Sequence, residues 1–214
     1  MKPPFVIAVD GPAASGKGTV ATRLGEAYGL PVLDTGLLYR AVGVLAQRAS
    51  LDLDDEAATA AVAQRLEAGL LDDPGFRTRG AGEAASRVAV HPAVRAALLK
   101  LQQDFAAQPS VIDGRDIGTV IAPQAPAKLY VTASPEVRAE RRCKQLKGQG
   151  EAVTYEDVLA DIRKRDERDG GRESAPMRPA EDAVLLDTSE MTIEQVTDAA
   201  RRIVEAARAR WEQS

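Results

Sequence analysis

The segment Asp10-Gly-Pro-Ala-Ala-Ser-Gly-Lys-Gly-Thr19, set directly behind the apolar run Phe5-Val6-Ile7-Ala8-Val9, constrains the fold of this chain more than any other feature. The run shows no alternation of apolar and polar residues, which is the pattern of a strand buried on both faces of a parallel sheet. The glycines of G-x-x-x-x-G-K let the backbone curl so that several N–H groups point at one anion, and Lys17 adds a point charge beside it. A helix expected over 16–28, stopped by Gly29, brings its positive dipole end to the same place. The strict motif has Ser or Thr directly after Lys. Here Gly18 follows and Thr19 comes one residue later, so either Gly18 with a compensating water or the Thr19 hydroxyl is expected near magnesium.

The rest of the chain alternates strands and helices. Residues 31–33, 111–113, 127–132 and 183–186 read as four more strands, giving a five-stranded parallel sheet with helices on both faces. Helices are expected from Thr35 to about Ala49, over the Ala-rich stretch 54–71, from Pro92 to about Ala106, after the Ser134-Pro135 start, and from Tyr155 behind the cap Thr154. Gly170-Gly171 breaks the last of these, and Thr192-Ile193-Glu194-Gln195 is a capping box for a terminal helix. Residues 72–82 read as an exposed loop and residues 144–152 as a polar, glycine-containing connection. Asp113 ends an apolar strand, where a carboxylate holds magnesium or its water in proteins with such a phosphate loop.

Composition excludes several classes. The net charge of −4 argues against nucleic acid as a partner. One cysteine and one histidine cannot build a zinc site, and a single cysteine, Cys143, forms no intrachain disulfide, which suits a reducing cytoplasm. The apolar run at 5–9 is far too short to span a membrane and runs into the phosphate loop with no cleavage region. Nor does the chain contain the asparagine that a guanine-reading switch GTPase needs, and Gly114 follows Asp113 where motor ATPases carry Glu. A small-molecule kinase remains, using ATP with Mg2+, with Gly11, Ala13, Ala14, Ser15, Gly16, Lys17, Gly18 and Thr19 around the ATP phosphates and Thr19 and Asp113 near the metal.

Phosphoryl transfer needs two polyanions brought together and their charge neutralised, work to which Arg is suited. Arg138 and Arg142 are four apart on the helix after Ser134, with Arg141 flanking; Arg165 and Arg172 lie seven apart on the next, with Arg168 and Asp169 between. The stretch 147–150 between these helices is expected to hinge a mobile lid. Arg163, Lys164, Asp166, Glu167, Arg201, Arg202, Arg208 and Arg210 read as solvated helix faces. His91 reads as the residue leading into a helix, Cys143 as a small apolar residue and Trp211 as packing.

The chain resembles the bacterial cytidylate kinase family nearly end to end. The resemblance rests on residues 10–19, on Leu33-Asp-Thr-Gly-Leu-Leu-Tyr-Arg40, on Val111-Ile-Asp-Gly-Arg-Asp-Ile-Gly-Thr119, and on Arg165-Asp-Glu-Arg-Asp169 with Arg172 and Pro176. It implies a single kinase domain over 1–214, with a core of 1–34, 97–143 and 173–214, a monophosphate-binding segment of 35–96 and a lid of 144–172. It implies transfer from ATP to CMP or dCMP in pyrimidine nucleotide metabolism, by a monomer with no nucleic-acid or membrane partner. Arg40, Arg115 and Arg172 would grip the acceptor monophosphate with Thr35 beside it; Ser86, Arg95 and Asp116 would read cytosine. Arg165 and Asp169 would lie near the sugar, and Arg142 would be a lid cation, so that Lys17, Arg142, Arg115 and Arg172 form the catalytic set. Long-type members carry a small sheet as an insert, whereas here 71–87 is short and expected to be a loop. Two alternatives stay open at this point: another nucleotide or small-molecule kinase (UMP/CMP-type or dephospho-coenzyme A), or an ATP-binding module without an acceptor site.

Overall fold

The computed structural model describes residues 2–66 and 71–213. They form two compact units, one of residues 1–33 and 105–214 and the other of residues 34–104.

The larger unit is built on the sheet. Strand β1 (Val6–Asp10) lies between β3 (Ser110–Gly114) and β4 (Ala127–Thr132), parallel to both. The edges are β2 (Val32–Asp34), beside β3, and β5 (Val184–Asp187), parallel to β4, so the five-stranded order is β2-β3-β1-β4-β5. Every residue of β1 and β3 is buried, as the unbroken apolar run requires of a central strand covered on both faces. On one face Ile7, Val9, Val111 and Leu129 share a core with Val20 and Leu24 of α1 (Lys17–Tyr28) and with Val196, Ala200 and Val204 of the terminal helix, α8 (Ile193–Gln213). The Thr192–Gln195 box closes reciprocally, with Gln195 N donating to Thr192 Oγ1 at 3.3 Å and Thr192 N to Gln195 Oε1 at 2.9 Å.

A second core in this unit joins α6 (Pro135–Gly148) to α7 (Tyr155–Gly170) through Ala139, Cys143, Leu146, Val158 and Ile162. It corrects the reading of 144–152 as a polar connection. Helix α6 continues to Gly148 because Leu146 is held in this core, and the chain turns only at Gly150, whose φ of 83° suits glycine.

The smaller unit is helical: α2 (Thr35–Arg48), α3 (Glu56–Gln64), α4 (Arg79–Val88) and α5 (Pro92–Ala106), the last running two residues past its boundary. Leu38, Val42, Ala84, Val88, Val94 and Leu98 form its core. A Cβ on Gly43 would lie 2.7 Å from Ala84 Cβ, so glycine is what lets α2 and α4 approach. Two expectations fail here. The helix expected over 54–71 starts behind Asp55 and closes at Gln64 with tight bonds from Arg65 N to Val62 O and Leu66 N to Ala63 O; residues 67–70 of that expectation lie outside the described residues. Residues 72–82 expose Asp72, Pro74, Arg77, Thr78 and Gly80 as expected but are not a loop throughout. Asp73 caps a 3-10 turn at Pro74–Arg77 that buries Phe76, and Thr78 then caps α4.

Candidate active site

The loop after β1 adopts the anion-binding form that its glycines allow. Gly11 sits at φ 146°, and a Cβ there would lie 2.0 Å from Val131 O, so no other residue fits. Ala14 (φ 61°) and Gly16 (φ 89°) are also left-handed, which turns successive backbone N–H groups toward one side. No side chain caps α1 at Gly16, so its positive end is left to the loop. Ser15 is fully buried with its Oγ unbonded, and its carbonyl accepts from Thr188 Oγ1 at 3.1 Å.

Lys17 Nζ lies 3.7 Å from Asp113 Oδ1 at the end of β3. Gly18 is the next position to face that carboxylate, since a Cβ there would be 3.3 Å from Asp113 Oδ2, while Thr19 is exposed. A buried aspartate oxygen beside the loop lysine fits a hard cation that arrives with a nucleotide and keeps most of its own waters.

On the same unit, three guanidinium groups converge on Asp169. Arg115 Nε donates to its Oδ2 at 3.2 Å, Arg165 Nε is 3.7 Å from Oδ2, and Arg172 Nη2 is 3.5 Å from Oδ1, with Arg172 Nε donating to the Asp169 carbonyl at 3.2 Å. Burial alone would raise the Asp169 carboxyl, but Arg115, Arg165 and Arg172 overcome it and hold it below the usual carboxylate range. Three guanidinium groups gathered at one buried carboxylate present planar forks of the kind that suit an anionic phosphate. Asp116 is buried at the start of a one-turn π-type helix, Ile117–Ile121. Arg142, on α6, bonds Gln145 along its own helix.

In the smaller unit, Asp34 caps α2 through Leu37 N and holds Arg40 Nη2 at 2.6 Å. Thr35 and Ser86 are buried, as is Arg95, whose guanidinium lies 5.6 Å from the centre of the Tyr39 ring.

Sequence reasoning misread one residue and overlooked two roles. Asp166 is not a solvated helix face: both its oxygens accept from Arg138, Oδ1 at 3.0 Å from Nη1, and Arg138 is itself buried. The same guanidinium donates to Ala133 O at 2.9 Å and to Ala13 O in the phosphate loop at 3.2 Å, so it clamps α7, α6 and the loop together. The i, i+4 pairing of Arg138 with Arg142 was the available signal. Arg141 bonds Thr188 through both its hydroxyl and its carbonyl and thereby supports Ser15. The bland readings of the lone residues agree with the structure. His91 Nε2 bonds Leu53 O at the start of α5, Cys143 is buried in a core, and the Trp211 ring packs tilted against Phe5 with centroids 5.3 Å apart.

The sequence profile of the cytidylate kinase family matches residues 7–206. A cytidylate kinase of Caulobacter vibrioides (strain NA1000 / CB15N) is 74% identical over 96% of this chain and 98% of its own length, and one of Caulobacter sp. (strain K31) is 72% identical over 97% of each. A cytidylate kinase of Xanthobacter autotrophicus (strain ATCC BAA-1158 / Py2) is 64% identical over 96% of this chain and 99% of its own. Among solved structures, a gluconokinase from Sinorhizobium meliloti 1021 aligns with 100% of this chain and 98% of its own at a TM-score of 0.50 and 17% identity. An uncharacterized protein from Eubacterium ventriosum ATCC 27560 covers 96% of this chain and 98% of its own at 0.53 and 16%. These two share the fold alone. The extent and identity of the sequence matches, together with an intact phosphate loop, place this chain in the cytidylate kinase family.

Proposed function

We propose that the protein transfers the γ-phosphoryl group of ATP to CMP and dCMP, giving ADP with CDP or dCDP, in pyrimidine nucleotide metabolism in the cytoplasm. The observation that carries the reading is the convergence of Arg115, Arg165 and Arg172 on buried Asp169, in the same unit as the phosphate loop. A module that only bound ATP has no use for it, and a phosphate-bearing acceptor does.

In this reading the loop N–H groups of residues 11–19 and Lys17 hold the ATP phosphates. Arg115 and Arg172 hold the acceptor monophosphate with Arg40 and Thr35, and Arg165 and Asp169 lie by its sugar. Arg95, Ser86 and Asp116 read the base. Asp116 accepts from the exocyclic amine of cytosine; uracil presents a carbonyl there and meets like polarity. An oxygen of the CMP phosphate attacks the γ-phosphorus as the bond to the β-bridging oxygen breaks. That phosphate has its second pKa near 6, so no general base is required. Charge on the transferred group is met by Lys17, Arg115, Arg142 and Arg172. Asp113, and Thr19 through its hydroxyl, are the groups proposed to hold a magnesium ion or its waters, which supplies charge neutralisation to the phosphates when bound. Segments 35–96 and 144–172 are assigned monophosphate binding and lid movement. Chromatography of a reaction holding ATP, Mg2+ and CMP tests this directly: CDP and ADP should appear one for one, and ADP without CDP would mean hydrolysis instead.

A further inference from the structure

Asp10 is the last residue of β1 and is joined directly to Gly11 of the phosphate loop. Its carboxylate is only 4% exposed, and both oxygens are used: Oδ1 accepts from Ile117 N at 2.8 Å and Oδ2 from Gly118 N at 2.8 Å. These are the first N–H groups of the turn Ile117–Ile121, which have no partner within the turn itself. An aspartate at the residue preceding a helix ordinarily caps it with its own side chain. Asp116 occupies that position and makes no such bond. The capping is done instead by a residue from another strand.

We propose that Asp10 is a positioning residue for acceptor binding: its carboxylate brackets the Arg115–Asp116 segment to the strand that carries the phosphate loop. The surroundings leave the bracket little room to shift. A Cβ on Gly118 would lie 3.1 Å from Lys128 Cδ and 3.4 Å from both Ala180 Cβ and Asp10 Oδ2. Asp10 and Gly114 are register partners, so the bracket extends beyond the point where the β1–β3 ladder ends. The path from donor to acceptor groups is therefore short: Gly11, Asp10, the amides of Ile117 and Gly118, Asp116, then Arg115 with its bond to Asp169. The inference rests on the reading that Arg115 and Asp116 bind CMP, and it adds the residue that decides where they stand relative to the ATP phosphates.

Asp10→Asn keeps the shape of the side chain but offers an amide N–H to one of the two backbone N–H groups, removing one charge-assisted bond and opposing two donors. At pH 8, with ATP, CMP and UMP as the varied substrates and thermal melting measured alongside, D10N is expected to raise KM for CMP about tenfold and leave KM for ATP within about twofold. It should also lower the preference for CMP over UMP, and the D10N/D116N double variant should discriminate no worse than D116N alone, because Asp10 acts through Asp116. Equal rises in both KM values, an unchanged KM for CMP, or additive losses in the double variant would overturn the proposal. So would a lower melting temperature with unaltered kinetics. If D10N fails to fold, Gly118→Ala presses on the same bracket and should give the same split; an equal effect on both substrates overturns the proposal there too. If D116N keeps full preference for CMP while D10N still raises KM for CMP alone, base reading by Asp116 fails and the bracket stands, acting through Arg115.

Discussion

Lys17 and Asp113 show how much of this site is decided by single charges. Their 3.7 Å separation keeps the lysine at the mouth of the loop, where a nucleotide phosphate competes with Asp113 for it. Lys17→Ala removes positive charge from the place where negative charge builds up on the transferred group, and kcat should fall by about 100- to 1000-fold while the fold persists. Steady-state kinetics with a circular-dichroism control checks this; a loss below about threefold would mean the loop amides carry the phosphate unaided. Asp169 is the acidic counterpart. It gathers three arginines, and they overcome its burial and hold its carboxyl low.

Helices α6 and α7 are joined by an apolar core and by the Arg138–Asp166 fork. Arg138 is buried and also bonds Ala13 O, so Asp166→Ala strands a cation inside the protein and loosens the phosphate loop. We expect a loss of about 2 kcal/mol in urea unfolding together with a raised KM for ATP. The exposed Arg163–Glu136 pair on the same two helices is the control, and Glu136→Gln should leave the unfolding midpoint in place. A loss of equal size in both variants would mean that the fork is ordinary surface pairing. At this scale the sequence was readable wherever the signal was local. The apolar run of β1, the Ser134 and Thr154 caps and the Thr192–Gln195 box each fold as their residues dictate. It was unreadable where tertiary burial decided. Buried Phe76 anchors a stretch rich in Gly and Arg as a 3-10 turn, and Leu146 draws α6 past its polar surface residues. Asp166 looked like any charged helix residue, because nothing local marks the buried guanidinium on the preceding helix, 28 residues away, that claims it.

Across the molecule, an acidic chain of net charge −4 buries two carboxylates, Asp10 and Asp169, that respond to pH in opposite directions. Burial pushes the Asp10 carboxyl up from 3.8 to about 7, against the pull of its two backbone N–H donors. A group raised on folding favours the native state fully below its unfolded value, and that contribution disappears as pH rises through its folded value. Asp10 should therefore cost stability between about pH 4 and pH 7, on the order of 4 kcal/mol at most. Asp169, held low, contributes stability above the ordinary carboxylate pKa and loses it as pH falls below. Urea unfolding of the nucleotide-free protein across pH 4–8 should show D10N lacking the decline that the parent chain shows up to pH 7. An identical slope in both would assign that titration to another group. The candidate acceptor groups were named from the resemblance, and the structure places Arg115, Arg165, Arg172 and Asp169 together on one unit and Thr35, Arg40, Ser86 and Arg95 on the other.

The central claim is that these cations serve a cytidine monophosphate. A coupled assay of ADP release, run with ATP and Mg2+ against CMP, dCMP, UMP, AMP and GMP in turn, tests it most directly. The account predicts that CMP and dCMP give kcat/KM at least about tenfold above the other three, the discrimination that one mismatched hydrogen-bond pair supports. Equal turnover with all five acceptors, or ADP release that no acceptor stimulates, would contradict it.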